Sequence, residues 1–398
     1  MSGLTCPVCG CAAGHTFLRR ERVPGTQNLL SRSQEAARAV ASGALEMSAC
    51  DKCGFVWNAA FDASRVRYDQ DYENSQTSSP AFESYFQGLI DHLIDEQEIR
   101  NHRIVEVGCG NGSFLRSLVT ADGVRNTGIG YDPCYRGNTR DLNGRLEFRL
   151  EFLSGEPLDE PCDVVVSRHV IEHILQPVEF LSTIRRSLSN SSDARVFIET
   201  PSVAWILRSR TYWDFFHEHC SIFTDASLTT ACERAGLAVT DVRHVFGGQY
   251  LWLEATPAEG VEVTRNPGDI SEIAAAFAVA ERDWLERWRR ELELAAAEGP
   301  VAVWGAGAKG VTLVNLLDPE TRLVQCVVDM NPLKQGGFIP GSGHSIVAPE
   351  ELCNRGVHHL LLMNPNYREE IEDLLTRLEV AVNVINVTER ADDPVLIS

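Results

Sequence analysis

The stretch Ile104-Val105-Glu106-Val107-Gly108-Cys109-Gly110-Asn111-Gly112-Ser113-Phe114-Leu115 decides the fold. It reads as a buried strand, a tight glycine turn and the first residues of a helix. Glycines let a ligand approach the backbone closely, and this turn falls at the carboxyl end of a strand, where open α/β sheets bind nucleosides. A second strand, Gly128 to Tyr131, runs into Asp132, in position to accept hydrogen bonds from both ribose hydroxyls. Leu150-Glu151-Phe152-Leu153 follows as a frame for an adenine. The strand Cys162-Asp163-Val164-Val165-Val166 then ends in Ser167-Arg168-His169-Val170-Ile171-Glu172-His173. The chain order is ligand loop, ribose acid, adenine loop, then residues beside a reactive carbon.

Two other nucleotide folds fit this block less well. A Rossmann dehydrogenase reads Gly-x-Gly-x-x-Gly, which Ser113 and Phe114 do not satisfy, and a phosphate-binding P-loop needs a Gly-Lys-Ser/Thr that is missing here. The Glu-x-Gly-x-Gly-x-Gly loop from Glu106 to Gly112 and the Val-Ile-Glu-His segment from Val170 to His173 resemble those of class I S-adenosylmethionine-dependent methyltransferases. The resemblance implies that cofactor, held by Glu106, Gly108, Gly110, Gly112, Asp132, Phe152, Ser167, Arg168 and His169.

Working outward, strand-rich runs at Ile104 to Val107, Gly128 to Tyr131, Val164 to Ser167 and Val196 to Glu199 alternate with helical segments, the pattern of a parallel sheet. A helical stretch from about Ala81 to Gln97 leads into them. Asn266-Pro267-Gly268 punctuates the chain before a long helical stretch from Ile270 to Ala297, which Gly299-Pro300 stops. Beyond it the strand, glycine and helix design recurs at Val301 to Leu317, with further strands at Leu323 to Asp329 and His358 to Met363. Three units are expected, over residues 1–66, 67–265 and 266–398. That number agrees with 398 residues at about 150 per domain.

The first unit carries Cys6-Pro7-Val8-Cys9 and Cys50-Asp51-Lys52-Cys53. Cys6, Cys9, Cys50 and Cys53 offer four thiolates, the soft tetrahedral set that structural Zn²⁺ prefers. Gly10 and Gly54 follow each knuckle and relieve crowding where amides turn toward sulfur. The gap between knuckles exceeds the usual spacing, so an inserted segment must loop out of the site. A zinc ribbon for nucleic acid is the rival reading. The formal charge of −20 weighs against it, because such a chain repels polyphosphate backbones and anionic membranes alike. No apolar run approaches the roughly 18 residues that span a bilayer. With no signal-peptide core near Met1, the cytoplasm is the expected compartment, where thiols stay reduced.

After the fifth strand comes Phe215-Phe216-His217-Glu218-His219. Two imidazoles and a carboxylate amid aromatics suit proton transfer near neutral pH. The histidines are two apart and would not share a helical face, so this is not the His-Glu-x-x-His zinc motif.

Taken together, the cysteine knuckles, the methyltransferase block, the His-Glu-His cluster and the C-terminal unit resemble the sugar C-methyltransferases that act on nucleotide-linked 4-keto deoxysugars. The points of likeness in the C-terminal unit are Val303-Trp304-Gly305-Ala306-Gly307-Ala308-Lys309-Gly310, Asp329-Met330-Asn331-Pro332-Leu333-Lys334-Gln335-Gly336, Ile339-Pro340-Gly341-Ser342 and Asn364-Pro365-Asn366-Tyr367. The resemblance implies His219 as the base that removes the proton beside the ketone, with Glu218 polarising or positioning the sugar; enolate charge then needs nearby donors, and His217 is a candidate in place of the family's tyrosine hydroxyl. It also implies Tyr72 and Gln76 in a segment closing over the methyl donor, and Phe216, Lys309 and Asn364 facing a small, nucleotide-linked substrate. Two positions depart from the family. Phe216 stands where it has tyrosine, and Gly247-Gly248-Gln249-Tyr250-Leu251 stands where it more often has Gly-Gly-Ser with a following arginine.

Gly305-Ala306-Gly307-Ala308-Lys309-Gly310 is a literal Gly-x-Gly-x-x-Gly, and Asp329 closes the next strand. Read alone it would be a nicotinamide site. The resemblance makes it a substrate-binding turn instead, with Lys309 suited to a phosphate or sugar oxygen. The expected fold class is α/β, a class I methyltransferase domain flanked by a small zinc-binding module and a second Rossmann-like domain. The expected activity is methylation of carbon next to a ketone in natural-product or surface-glycan biosynthesis. Transfer to oxygen or nitrogen of another anionic intermediate is the alternative, and a non-catalytic zinc and nucleotide-binding protein a lesser one.

Overall fold

The computed structural model describes residues 3–29, 31–67, 80–153, 161–189, 191, 193–364 and 367–387. Strands β1 (Leu4–Thr5), β2 (Ala12–Pro24), β3 (Ser42–Cys50) and β4 (Val56–Asn58) form an antiparallel sheet. A parallel core follows in β5 (Arg103–Val107), β6 (Thr127–Tyr131), β8 (Leu146–Arg149), β9 (Val164–Arg168) and β10 (Arg195–Pro201), with the two-residue β7 (Arg140–Asp141) antiparallel at its edge. The chain then returns to the first sheet, where β11 (Ser221–Ile222) pairs antiparallel with β4. It goes back again as β12 (Leu237–Val245) and β13 (Tyr250–Pro257). The central order is β12-β13-β10-β9-β5-β6-β8-β7, with β13 antiparallel to both neighbours.

Each of the four sequence-predicted core strands is present, one to three residues longer than the apolar run that marked it. β5, β9 and β10 are buried almost throughout, as parallel strands covered on both faces must be. The stretch before β5 is an α-helix, Pro80–Asp91, that passes into a π-turn, His92–Glu96.

The third sheet is wholly parallel: β14 (Val301–Trp304), β15 (Val324–Val328), β16 (Ile346–Val347), β17 (His359–Leu362) and β18 (Asn383–Asn386), in the order β16-β15-β14-β17-β18. It is doubly wound, so its switch point lies beside the glycine turn after β14.

In the chain, the helix Ile270–Glu298 runs between β13 and β14. Its buried residues, Ile270, Ala274, Phe277, Glu281, Trp284, Trp288, Leu292 and Ala295, recur every three or four positions and make one apolar stripe. Tyr212 packs on Phe277 and Trp284 at 4.8 and 5.0 Å between ring centres, and Trp213 packs on Trp284 at 5.6 Å. Glu281, the one acid in the stripe, is ion-paired with Arg20 of β2, whose guanidinium also donates to the carbonyls of Tyr212 and Phe215. Burying that charge is tolerable only because every partner is in place. The arrangement fixes the chain immediately ahead of Phe216. Among the described residues no helix is long and apolar enough to cross a membrane.

Candidate active site and cysteine cluster

The two knuckles are built alike. Gly10 N–H donates to Cys6 O and Gly54 N–H to Cys50 O, and both glycines hold positive φ, +75° and +73°. The turns aim four sulfurs at one point: Cys6 Sγ to Cys53 Sγ is 3.7 Å, Cys9 Sγ to Cys50 Sγ is 3.6 Å, and all four lie within 4.8 Å of one another. A tetrahedral ion with Zn–S bonds of about 2.3 Å has S–S edges of about 3.8 Å. None of the four is in a disulfide, and all are buried. The donor set and its size therefore fit Zn²⁺, and Cys11 stands outside it.

At the glycine turn, Asp132 Oδ2 accepts from Gly110 N–H at 2.8 Å and Oδ1 from Cys134 N–H at 2.7 Å. Burial holds its carboxyl above the usual carboxylate range. Gly108, Gly110 and Gly112 all adopt positive φ. A Cβ at Gly108 would strike Val170 at 2.1 Å and one at Gly112 would strike Phe148 at 2.5 Å, whereas one at Gly110 meets nothing within 4 Å. So two glycines are demanded by packing, and the middle one faces open space where a ligand can approach. Among the described residues Ser167 Oγ is buried without a partner, and Phe152 is 70% exposed. An open glycine cradle, a nearby carboxylate and an orphaned hydroxyl fit a nucleoside cofactor with a charged amino-acid tail.

Two residues of this group face the protein instead. Glu106 Oε2 accepts from Leu115 N–H at 3.1 Å, tying β5 to the helix Ser113–Thr120, and burial pushes its carboxyl up to about 8. Arg168 Nε pairs with Glu199 Oε2 at 2.5 Å, and its guanidinium lies 4.4 Å from the ring centre of Phe114. Each shapes the cofactor loop from below. Tyr72 and Gln76 lie outside the described residues.

A cavity of about 330 Å³ opens where the carboxyl ends of β9 and β10 meet the second glycine turn. His169, Phe216, His219, Lys309 and Asn364 line it, together with Glu172, His173, Asp214, Gln249, Tyr250, Asp329 and Tyr367. The turn copies the first one: Asp329 Oδ2 accepts from Ala306 N–H at 2.8 Å and Oδ1 from Asn331 N–H at 2.8 Å. Lys309 Nζ donates to Asp214 Oδ2 and Gln249 Oε1, both at 3.1 Å, over the ring of Trp205 at 5.2 Å. Two of its donors are thus already engaged.

His219 packs edge-on against His173 and Phe216, each at 4.7 Å between ring centres. Burial, and then the neighbouring His173, push its pKa down to about 3, well below the near-neutral value that the sequence led us to expect. His173 Nδ1 faces the Glu218 carbonyl at 3.1 Å. Glu172, His173 and His219 bring ligand-type atoms within 4.8 Å of each other. His169, at φ +55°, is wedged between Glu172 and Glu199, each 3.4 Å away. Burial opposes its charge, but the two carboxylates outweigh burial and push its pKa up to about 9.

Glu218 and His217 do not line this cavity. Glu218 Oε1 accepts from Gln27 N–H at 2.9 Å. His217 is turned into the first sheet, with Nδ1 2.9 Å from Ala44 O and Nε2 3.3 Å from Asp62 O. A Cβ on Gly43 would sit 2.3 Å from its ring. Its expected place beside the substrate is therefore corrected: both nitrogens face backbone carbonyls, and the ring packs into the first sheet. Tyr250, Asp214 and Tyr367 were missed as lining residues, since only strand register and packing between sheets bring them here.

A family described as a methyltransferase domain matches residues 82–242, and one described as a C-methyltransferase C-terminal domain matches residues 271–381. The C-methyltransferase NovU of Streptomyces niveus is 31% identical over 293 residues, covering 68% of this chain and 68% of that protein. A mitochondrial ubiquinone biosynthesis O-methyltransferase of Schizosaccharomyces pombe is 29% identical over 115 residues, 27% of this chain and 41% of its own. Among solved structures, the 1,6-didemethyltoxoflavin-N1-methyltransferase of Burkholderia thailandensis, with bound S-adenosylhomocysteine, aligns over 46% of this chain and 80% of its own at 17% identity and a TM-score of 0.36. The chain belongs to the C-methyltransferase family and is an S-adenosylmethionine-dependent methyltransferase.

Proposed function

We propose that the protein methylates the carbon beside the ketone of a nucleotide-linked deoxysugar, with His219 as base. The observation that carries this reading is a neutral imidazole, His219, lining a cavity that reaches from the methyltransferase sheet to a second nucleotide-type glycine turn. S-adenosylmethionine supplies an electrophilic methyl group. A carbon acid becomes nucleophilic only once its proton is taken, and His219 takes it on a ring nitrogen. The new C–CH₃ bond forms as the S–CH₃ bond breaks, the sulfonium leaves as a neutral thioether, and the proton passes from His219 to solvent.

A ring whose pKa lies near 3 is always free to accept, yet weak as a base. The imidazolium forms together with an enolate, however, and their attraction in a site of low dielectric offsets the burial penalty. The Glu172 carboxylate adds to that support. Asp132 and Gly110 hold the cofactor, and the C-terminal turn holds the nucleotide with Lys309 and Asn364. The unit 1–66 is a structural zinc module, 67–265 the methyltransferase domain and 266–398 the substrate-binding domain. Glu218 acts as a positioning residue through Gln27 and His173.

Labelled S-adenosylmethionine incubated with a panel of nucleotide-linked keto sugars, followed by mass spectrometry, tests the reading. A C-methyl product supports it. An O- or N-methyl product gives the protein an oxygen or nitrogen acceptor, a reading that Phe216 in place of a phenol favours.

A further inference from the structure

When the proton leaves the carbon, negative charge gathers on the ketone oxygen, and that oxygen needs a hydrogen-bond donor already in place. The cavity offers few. Lys309 is engaged by Asp214 and Gln249, and His169 has its Nε2 closed off from solvent against Glu199. Tyr250 differs from both. It lines the cavity, and its hydroxyl has no hydrogen-bond partner among the described residues.

Its ring is also held rigidly. Tyr250 opens β13 opposite Pro201 of β10 and Val245 of β12. It stacks on Phe246 at 5.4 Å and 8° between planes, and meets His169 edge-on at 4.6 Å. From His169 the contacts run to Glu172 at 3.4 Å, and Glu172 shares the cluster with His173 and His219. The phenol thus belongs to the same packed group as the base.

We propose that Tyr250 donates its hydroxyl hydrogen bond to the ketone oxygen of the substrate and stabilises the enolate. The inference rests on the carbon-acid reading above. Burial, Tyr367, Glu199 and Asp214 all keep the phenol protonated, so it serves as a donor and not as a second base. The proton stays on oxygen throughout, and no further reactant is required. Tyr367, the other phenol of the cavity, touches Phe246 only distantly, at 6.5 Å, and makes no ring contact with the histidine cluster.

The test uses the full-length enzyme, its Tyr250→Phe and Tyr367→Phe variants and the same panel of nucleotide-linked keto sugars. Two rates are read: methyl transfer, and wash-in of solvent deuterium at the carbon beside the ketone without methyl donor. Tyr250→Phe keeps its ring contacts with Phe246, His169 and Tyr85, so its thermal midpoint should stay close to wild type. Both of its rates should fall together, by about 100- to 1,000-fold, the usual loss for one oxyanion donor, with unchanged affinity for S-adenosylmethionine. Wild-type deuterium exchange that Tyr250→Phe leaves untouched overturns the inference while sparing the reading of function. A larger loss in Tyr367→Phe overturns it too. Absence of exchange in the wild type itself overturns the carbon-acid reading and this inference with it.

Discussion

The rings of His173 and His219 stand 4.7 Å apart at 85° to each other. At that separation two charged rings would repel, and after burial His173 is the next cause that holds the His219 pKa down to about 3. His173 is anchored through Nδ1 to the carbonyl of Glu218. His219 is then the ring with freedom to exchange a proton with substrate. His219→Asn should lower methyl transfer by about 100- to 10,000-fold and abolish deuterium wash-in, with cofactor affinity nearly intact. Exchange as fast as wild type in the variant would remove His219 from the role of base.

Asp132 does two jobs, since the same oxygens that await a ribose also accept from Gly110 and Cys134. Asp132→Ala should weaken S-adenosylmethionine binding by about 10- to 100-fold, the worth of a charged hydrogen bond, while Asp132→Asn, which keeps an acceptor for the loop, should lose less. Calorimetry separates the two. Equal losses would mean that the effect comes from the carboxylate's contact with the ribose and not from loop geometry.

The cysteine cluster should hold about one Zn²⁺ per chain, as closed thiolate sites do. Cys50→Ser should lower the metal content measured by elemental analysis and reduce the thermal midpoint. Metal-free protein that stays folded and active would sink the assignment.

The histidine between two acids gives the fold a pH signature. Arg168 and His169 outweigh burial at Glu199 and hold its pKa near 2, against an ordinary 4.5, so its stabilisation is complete above 4.5 and lost as pH falls toward 2. His169 is raised from 6.5 to about 9, so its contribution is complete below 6.5 and lost as pH rises through 9. Arg168, Tyr85, Glu172 and Tyr250 are the other polar groups that face this pair. The thermal midpoint should therefore decline between pH 6.5 and 9, and His169→Gln should flatten that decline. An unchanged slope in the variant would place the alkaline loss elsewhere.

Much of the scaffold is legible in the sequence because it is local. A strand, three glycines and an acid at the end of the next strand specify the first turn within thirty residues, and the same grammar specifies the turn at Gly305. The cysteine set is legible for a different reason, since four thiolates have few other uses in that pattern. Side-chain direction after β10 is not. Phe216 to His219 form neither helix nor strand, so no period of 3.6 or 2 says which way each points. His217 and His219, alike in sequence, end on opposite sides of the segment. The depressed pKa of His219 depends on burial and on His173, distant in sequence, and Tyr250 reaches the cavity only through the register of β13 on β10. Neither is a property of a short stretch.

The pairing of β11 with β4 bears on how the enzyme could be dismantled. The strand begins two residues after His219, so its pairing with β4 ties the segment that carries His219 to the first sheet. Trimming the chain back to its methyltransferase block would leave Ser221 and Ile222 as an unpaired edge, expose the apolar face beneath Phe55 and Trp57, and set His219 adrift. An isolated central block could therefore bind cofactor and still catalyse nothing, whereas adding the first 66 residues back in trans offers a route to restoring the place of His219.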